Sequence, residues 1–163
     1  MKQIAEIEID RLISSKLVVM GLDVGDKTIG VAISDEGIKI ASGLTTIVRG
    51  GSMDVCCSAL LHSVRHHKIG LVIFGWPLQM NGIPGKQCEK VLKFIEQLAS
   101  HMNPNVNFVE WDERFSTKVV DNIMIEANLS RRKRHKSIDR GAAVYILQGA
   151  VDFLNRPIGL RSR

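Results

Sequence analysis

The chain has 163 residues, of which 45% are hydrophobic and 24% charged, and its formal net charge is +5. This length fits one domain that buries roughly two thirds of its unfolded surface, and the composition excludes a disordered chain. No apolar run approaches the ~20 residues of a membrane-spanning helix. Charged residues within 1–16 break up the apolar core that a signal peptide would need. We therefore expect a cytoplasmic protein without membrane contact.

The first predicted elements form a three-stranded antiparallel meander. Residues 1–16 read as an extension with some helix, and the main domain spans residues 17–154. The run from Leu17 to Asp23 is apolar almost throughout, which is typical of a central strand buried on both faces. Turn-forming residues follow this strand at 24–27 and occur again at 35–37, after the next strand. The predicted strands are 17–23, 28–34 and 38–48.

Helices and strands alternate after the meander. Ser52 is a candidate helix N-cap after a glycine-rich break. The predicted elements are a helix over 53–67, a strand over 70–75, a helix over 86–101, a strand over 106–110, helices over 116–127 and 138–154, and a tail over 155–163. This order predicts an α/β fold with a five-stranded mixed sheet and helices on both faces.

Three carboxylates are candidates for a metal site. Ligands of such sheets lie beyond the carboxyl ends of the central strands, where Asp23 closes the first strand and either Asp112 or Glu113 closes the fifth. Asp139 precedes Ala143 by four residues on the predicted inward face of the last helix. Taken singly, Asp23 could be an ordinary turn residue after a strand. Asp139 could simply be an acid in the first turn of a helix, where it interacts favourably with the helix dipole. Together they predict a site for Mg²⁺ or Mn²⁺, which supports phosphodiester cleavage.

One short segment carries the whole basic excess. Without its five cations, 17 cations face 17 acids in the rest of the chain. A localised patch of this kind indicates contacts with nucleic-acid phosphates, and the alternative is a solvated loop. The five cations are Arg131, Arg132, Lys133, Arg134 and Lys136.

Cysteine and histidine give no sign of a second metal site. The three cysteines, Cys56, Cys57 and Cys88, are odd in number and form no CxxC motif, so we expect reduced thiols. His62 and His66 fit one exposed helix face and have no third ligand nearby in the sequence.

Five blocks, in order, resemble the YqgF/RuvX family. That family contains Holliday-junction-resolvase-like proteins with a ribonuclease H-like fold, associated with processing of the 5′ end of pre-16S ribosomal RNA. Five ordered blocks are more specific than any one of them. The blocks are GLDVGDKTIGVAISD at 21–35, GWPLQMNG at 75–82, DERFST at 112–117, LSRRKR at 129–134, and Asp139 with Ala142-Ala143 and Ile146-Leu147-Gln148.

The resemblance implies a metal-dependent nuclease. Its catalytic and metal-binding acids fall on Asp23, Glu113 and Asp139, a choice that prefers Glu113 over Asp112. Nucleic-acid contacts would come from Lys27, Arg114 and the five cations between 131 and 136. The implied partner is precursor rRNA, with branched DNA as another possibility, for a monomer or homodimer.

Two departures from the family concern its hold on the substrate. Thr28 stands where the family often has arginine, and Gly141 stands where a larger residue is common. Neither replaces an implied metal ligand.

Two other functions compete with a nuclease. A non-catalytic RNA-binding ribosome assembly factor would also use the basic segment. An ATP-binding phosphotransferase is suggested by Asp23, Gly25 and Gly30, which resemble a phosphate loop of the actin and sugar-kinase group. Those proteins use two such domains, and this chain has no second phosphate motif.

Overall fold

The computed structural model describes residues 4, 7–50, 52–103, 105–112, 131–157, 160 and 161, with the backbone alone for residues 131–139. The predicted helix over 116–127 lies outside these residues. The elements are α1 (Ile9–Ser14), β1 (Val18–Val24), β2 (Thr28–Ser34), β3 (Ala41–Val48), α2 (Met53–His66), β4 (Ile69–Trp76), α3 (Lys86–Ser100), β5 (Asn107–Asp112) and α4 (Arg131–Leu154).

The five strands form one mixed sheet in the order β3-β2-β1-β4-β5. Strands β1, β2 and β3 pair antiparallel, while β4 pairs parallel with both β1 and β5. The predicted meander and the predicted mixed sheet are therefore confirmed.

Helices cover both faces of the sheet. Alternate side chains of a strand point to opposite faces, so β1 serves two cores. Met20 and Leu22 are fully buried in the core formed with α2 and α3. Val19 is fully buried in the other core, which α4 and the segment before β1 close. Strand β1 is thus central and buried on both faces, as its apolar sequence predicts.

Strand β3 begins three residues later than predicted. The carboxylate of Asp35 accepts hydrogen bonds from the backbone N–H groups of Lys39 (2.7 Å) and Ile40 (2.8 Å). These bonds lower the pKa of Asp35. Within the same turn Ile38 has a φ of 50° and is fully buried. Residues 38–40 therefore belong to a side-chain-stabilised turn that the hydrophobic pattern does not reveal.

Helix α4 begins at Arg131, seven residues before the predicted start. Arginine and lysine are good helix formers, and neither glycine nor proline occurs between 131 and 140. The five clustered cations therefore occupy the first two turns of α4 rather than a loop. Within the described ranges, neither α4 nor another helix has the length and apolar character needed to cross a membrane.

Residues on either side of the predicted domain are tied together. Ile9 and Leu12, from the segment before β1, are buried in the core beneath α4. The guanidinium of Arg161, of which 7% is exposed, donates to the carbonyl oxygens of Ile7 (2.9 Å), Leu154 (2.6 Å) and Arg156 (2.9 Å). One side chain thus joins the segment before the sheet to the segment after α4.

Candidate functional site

Strands β1, β4 and β5 are parallel, so their carboxyl ends lie at one edge of the sheet. The turn 25–27 and the loop 77–85 leave the sheet there. We call these strand ends, with that turn and that loop, the carboxyl edge. This is where sheets of this kind bind ligands.

Asp23 is the half-buried carboxylate of this edge. It is the penultimate residue of β1 and, by alternation with Val19 and Gly21, lies on the face covered by α4. Its partner on β2 is Gly30. On β4, Phe74 pairs with Leu22 and is followed by Gly75. Glycines therefore flank Asp23 on both neighbouring strands.

A second oxygen lies in the same row of the sheet. Thr46 on β3 pairs with Gly30, which pairs with Asp23, so all three share one face. The Thr46 hydroxyl oxygen is buried and has no hydrogen-bond partner in the described structure. A buried hydroxyl without a partner is unusual and indicates either stored strain or a ligand or water that satisfies it.

Helix α4 approaches β1 closely beside Asp23. A Cβ atom placed on Gly21 would lie 2.7 Å from the Cβ atom of Leu147 and 3.0 Å from the carbonyl oxygen of Ala143. Only glycine allows this contact. Asp139 occupies the helix position one turn before Ala143, and the five cations occupy the turns before that. The contact at Gly21 therefore fixes the helix that carries both sets of residues.

Asp112 lies on the opposite face of the sheet from Asp23. Phe108 is buried against α2 and α3. Asp112 lies four residues further along β5, so its side chain points to the same face as that of Phe108. Trp111 points to the α4 face, where its ring lies 5.8 Å from that of Phe153. The sequence leaves Asp112 and Glu113 as alternatives for the acid that closes β5. Asp112 is poorly placed to act together with Asp23. Glu113 lies outside the described residues.

Cations surround the turn that follows Asp23. Lys27 is exposed at this turn, and Lys90 at the start of α3 forms an ion pair with Asp26 (2.9 Å) that lowers the pKa of Asp26. Arg49 donates to the carbonyl oxygen of Gly25 (2.6 Å), and its guanidinium lies 5.1 Å from the ring centroid of Phe94. The turn is therefore held from two sides, by α3 and by the end of β3.

The sequence does not single out Thr46, Arg49 or Lys90. Their positions depend on strand register and helix placement, which no local motif encodes. The nearest signal is topological: Arg49 follows a strand that ends at the carboxyl edge, and Lys90 lies in a helix that starts there.

The structure does not describe the side chains of several predicted site residues. Arg114, like Glu113, lies outside the described residues, while Asp139 and the five cations are placed by backbone on α4. Among the described residues, no group of three or more His, Cys, Asp or Glu side chains forms a potential metal site. Asp23 and Lys27 are the predicted site residues that the described side chains place together at the carboxyl edge.

The described cysteines and histidines do not form a second site. Cys56, Cys57 and Cys88 are buried free thiols, and burial raises the pKa of Cys57. His62 and His66 are exposed on α2, with their ring centroids 6.1 Å apart.

The donor set at Asp23 suits a hard divalent cation. Mg²⁺ and Mn²⁺ prefer oxygen ligands and use few carboxylates when phosphate oxygens complete their shells. Asp23 offers one such oxygen between glycines. The Thr46 hydroxyl lies two strands away in the same row, about 10 Å from Asp23, which is too far to share that ion. Asp23 therefore fits such an ion as one of its ligands.

Comparison with protein families gives a match over residues 17–153 to the RuvX model, described as Holliday junction resolvase. Two similar bacterial proteins are each named "Putative pre-16S rRNA nuclease". The protein of Clostridium novyi (strain NT) is 46% identical over 134 residues, covering 82% of this chain and 97% of its own. The protein of Clostridioides difficile (strain 630) is 46% identical over 136 residues, covering 83% and 94%.

Comparison with solved structures shows the fold. RuvC of T. thermophilus in complex with a Holliday junction substrate has a TM-score of 0.52 at 13% identity, covering 85% of this chain and 96% of that chain. Another Thermus thermophilus RuvC structure has a TM-score of 0.50 at 14% identity, covering 83% and 94%. The fold is ribonuclease H-like, as the sequence resemblance implies.

Proposed function

Because the chain belongs to the RuvX family, described as Holliday junction resolvases, we propose that it is a metal-dependent nuclease that processes the 5′ end of precursor 16S rRNA. The names of the clostridial relatives support rRNA as the substrate. The complex of the related fold with a Holliday junction makes branched DNA the alternative substrate. A precursor rRNA substrate places the reaction in the cytoplasm.

The position of Asp23 carries this proposal. A half-buried carboxylate at the end of the central strand, flanked by glycines, lies on the face over which α4 passes at Gly21. The same helix carries Asp139 one turn from that contact and the five cations beyond it. An acidic centre beside a basic helix end is the combination that cleavage of a polyanion requires.

Asp23, Glu113 and Asp139 are the proposed ligands of Mg²⁺ or Mn²⁺. When bound, such an ion supplies Lewis-acid stabilisation of the charge that develops on the scissile phosphate. Asp23 anchors the site, because β1 is central and its carboxylate is set by the sheet. The position of the half-buried Asp112 on the other face supports the choice of Glu113 as the second acid.

Cations around the acids hold the flanking phosphates in this proposal. Lys27 lies at the turn directly after Asp23, and Arg114 follows Glu113 in the sequence. The cations at 131–136 form the start of α4. Their contacts position the backbone of the substrate and do not read its sequence.

The test is cleavage of a labelled 5′ fragment of precursor 16S rRNA by purified protein, with and without Mn²⁺. We expect metal-dependent cleavage by the wild type. Asp23→Asn should lower the rate on the order of 100-fold or more, because the variant loses the anchoring charge. Glu110→Gln is the matched control, since Glu110 is an exposed acid on β5 away from Asp23. It should cleave at the wild-type rate.

Two results would contradict the proposal. Cleavage by Asp23→Asn at the wild-type rate would remove Asp23 from the site. Binding of the fragment by the wild type without cleavage, in the presence of Mn²⁺, would favour a non-catalytic assembly factor instead.

A further inference from the structure

The loop 77–85 carries two exposed apolar side chains at the carboxyl edge. Met80 is 66% exposed and Ile83 58% exposed. The loop leaves β4 directly after Gly75 and Trp76, on the strand next to Asp23, and ends where α3 begins. Both side chains therefore belong to the same edge as the candidate site.

The loop is ordered by its own hydrogen bonds. The backbone N–H of Gln79 donates to the carbonyl oxygen of Ile83 (3.0 Å), and that of Gly82 donates to Gln79 (2.8 Å). The Asn81 side chain accepts from the N–H of Ile83 (3.0 Å), and Gly82 adopts a φ of 80°. Residues 79–83 thus form a closed turn that presents Met80 at its tip.

The base of the loop is fastened on both sides. Its first residue, Pro77, accepts a hydrogen bond from the Cys88 thiol (3.3 Å). Near its other end, Lys90 on α3 pairs with Asp26 in the turn that follows Asp23. The apolar tip is thus held in a fixed relation to the turn beside the candidate site.

The charges around the loop favour a nucleic acid as its partner. Lys86 directly follows the loop, and Lys27 and Lys90 lie on the neighbouring turn and helix, all exposed. Lys90 and Asp26 form an ion pair and offset each other, so Lys27 and Lys86 carry the positive charge beside the loop. Apolar side chains flanked by cations suit bases flanked by phosphates, since methionine and isoleucine are among the residues that insert between base steps.

We propose that Met80 and Ile83 insert against an unstacked base step next to the bond that is cleaved, so that the protein selects a nucleic acid with a bulge or branch over a continuous duplex. A continuous duplex must lose base stacking to admit the loop, whereas a bulge or branch has already lost it. The inference rests on the proposed function, because it narrows the substrate of the same site.

The test measures unstacking without cleavage. Bulged and continuous RNA duplexes carry the fluorescent base 2-aminopurine beside the bulge or at the equivalent position, and Ca²⁺ replaces Mg²⁺. Saturating wild-type protein should raise the fluorescence of the bulged duplex, because the inserted side chains separate the labelled base from the neighbour on which it still stacks beside the bulge. It should bind the bulged duplex roughly tenfold more tightly than the continuous one.

The double variant Met80→Ala/Ile83→Ala should lose both effects and keep the affinity of the wild type for the continuous duplex. The control is Ile40→Ala, because Ile40 is 63% exposed and lies at the opposite end of the sheet, between β2 and β3. This control should behave as the wild type. Circular dichroism establishes that all three proteins are folded.

Each outcome separates this inference from the proposed nuclease. If the double variant still raises the fluorescence and prefers the bulged duplex, or if the wild type does neither, the inference is overturned whatever the cleavage assay gives. If the wild type unstacks the base and the double variant does not, the inference stands even for a protein that fails to cleave.

Discussion

Gly21 is the residue on which α4 rests. The two atoms nearest to its missing Cβ are a backbone carbonyl oxygen and a Cβ atom of α4, and neither moves without moving the helix. Gly43 on β3 faces the same helix, but a Cβ there would lie 3.6 Å from Arg140 and from Val144, an ordinary contact distance. The two glycines therefore differ in how closely α4 approaches the strand beneath.

Gly21→Ala should destabilise the protein by about 1–3 kcal/mol, because overpacking pushes α4 away from the sheet. Gly43→Ala should change the free energy of unfolding by no more than about 0.5 kcal/mol, since its new methyl group finds room. Urea unfolding followed by circular dichroism measures both. Equal effects of the two substitutions would show that the contact at Gly21 does not limit the helix position.

The sequence predicts some residues of the candidate site and not others. Asp23 is predictable, because an apolar run marks the strand and ligands gather at strand ends. The exclusion of Asp112 needs the alternation of β5 to be known. Thr46 is not predictable, because a register shift between Val31 and Ala32 determines which β3 residue lies opposite Gly30. Pairing between strands, rather than composition, decides these positions.

At the scale of elements, α4 combines a packing half and a charged half. From Ala142 to Leu154 the helix supplies much of one core, including the fully buried Ile146 and Val151. From Arg131 to Lys136 it carries five cations. The packed half determines where the charged half lies, so core contacts set the position of the proposed phosphate-binding surface.

The double variant Arg131→Gln/Arg134→Gln should weaken nucleic-acid binding evenly across sequences and reduce the salt dependence. The slope of log Kd against log salt concentration should fall by about 2, because two phosphate contacts are lost. Glutamine keeps the helix propensity of arginine. Fluorescence anisotropy at several salt concentrations gives the slope.

Arg11→Gln/Arg65→Gln is the matched control for charge. Both residues are exposed, and they lie in α1 and at the end of α2, before the strands β1 and β4 and thus opposite the carboxyl edge. This variant should keep the wild-type slope. A slope that falls equally in both variants would mean that the overall charge, and not the start of α4, attracts the nucleic acid.

The element boundaries show where sequence patterns stop being informative. Strand β2 is predicted to the residue, since turns bound it on both sides. The start of α4 is missed because its first two turns carry charges and no hydrophobic period. The start of β3 is missed because Asp35 captures two backbone N–H groups that a strand would otherwise use. Hydrophobic periodicity predicts which residues are buried. The first turns of α4 and the turn before β3 show no such periodicity, so the sequence pattern does not reveal their structure.

At the scale of the whole molecule, Arg161 joins segments that lie outside the residues matched by the family model. The match spans residues 17–153, while the carbonyl groups that Arg161 contacts belong to Ile7, Leu154 and Arg156. A buried guanidinium satisfied by three carbonyl oxygens is costly to remove, because those oxygens lose their donors. The fold of this chain is therefore closed by residues outside the span that the family model matches.

Arg161→Ala should lower the free energy of unfolding by about 2–3 kcal/mol. Arg161→Lys should restore little of it, because one ammonium nitrogen does not reproduce the spacing of three guanidinium nitrogens. Arg156→Ala, which removes an exposed cation 5.7 Å from the ring centroid of Phe153, should cost no more than about 1 kcal/mol. Urea midpoints compare the three, and a wild-type midpoint for Arg161→Ala would refute the closure.

The order of elements along the chain determines when each face of the sheet is covered during synthesis. Helices α2 and α3 precede β5, so their face is covered as the chain grows, whereas α4 is made after all five strands. Until α4 is made, Val19, Ala32 and Ile73 lack the helix that packs on the other face, and only the segment before β1 is available to cover them. On the proposed function, the chain thus gains the helix that carries Asp139 only after every strand of its sheet has been made.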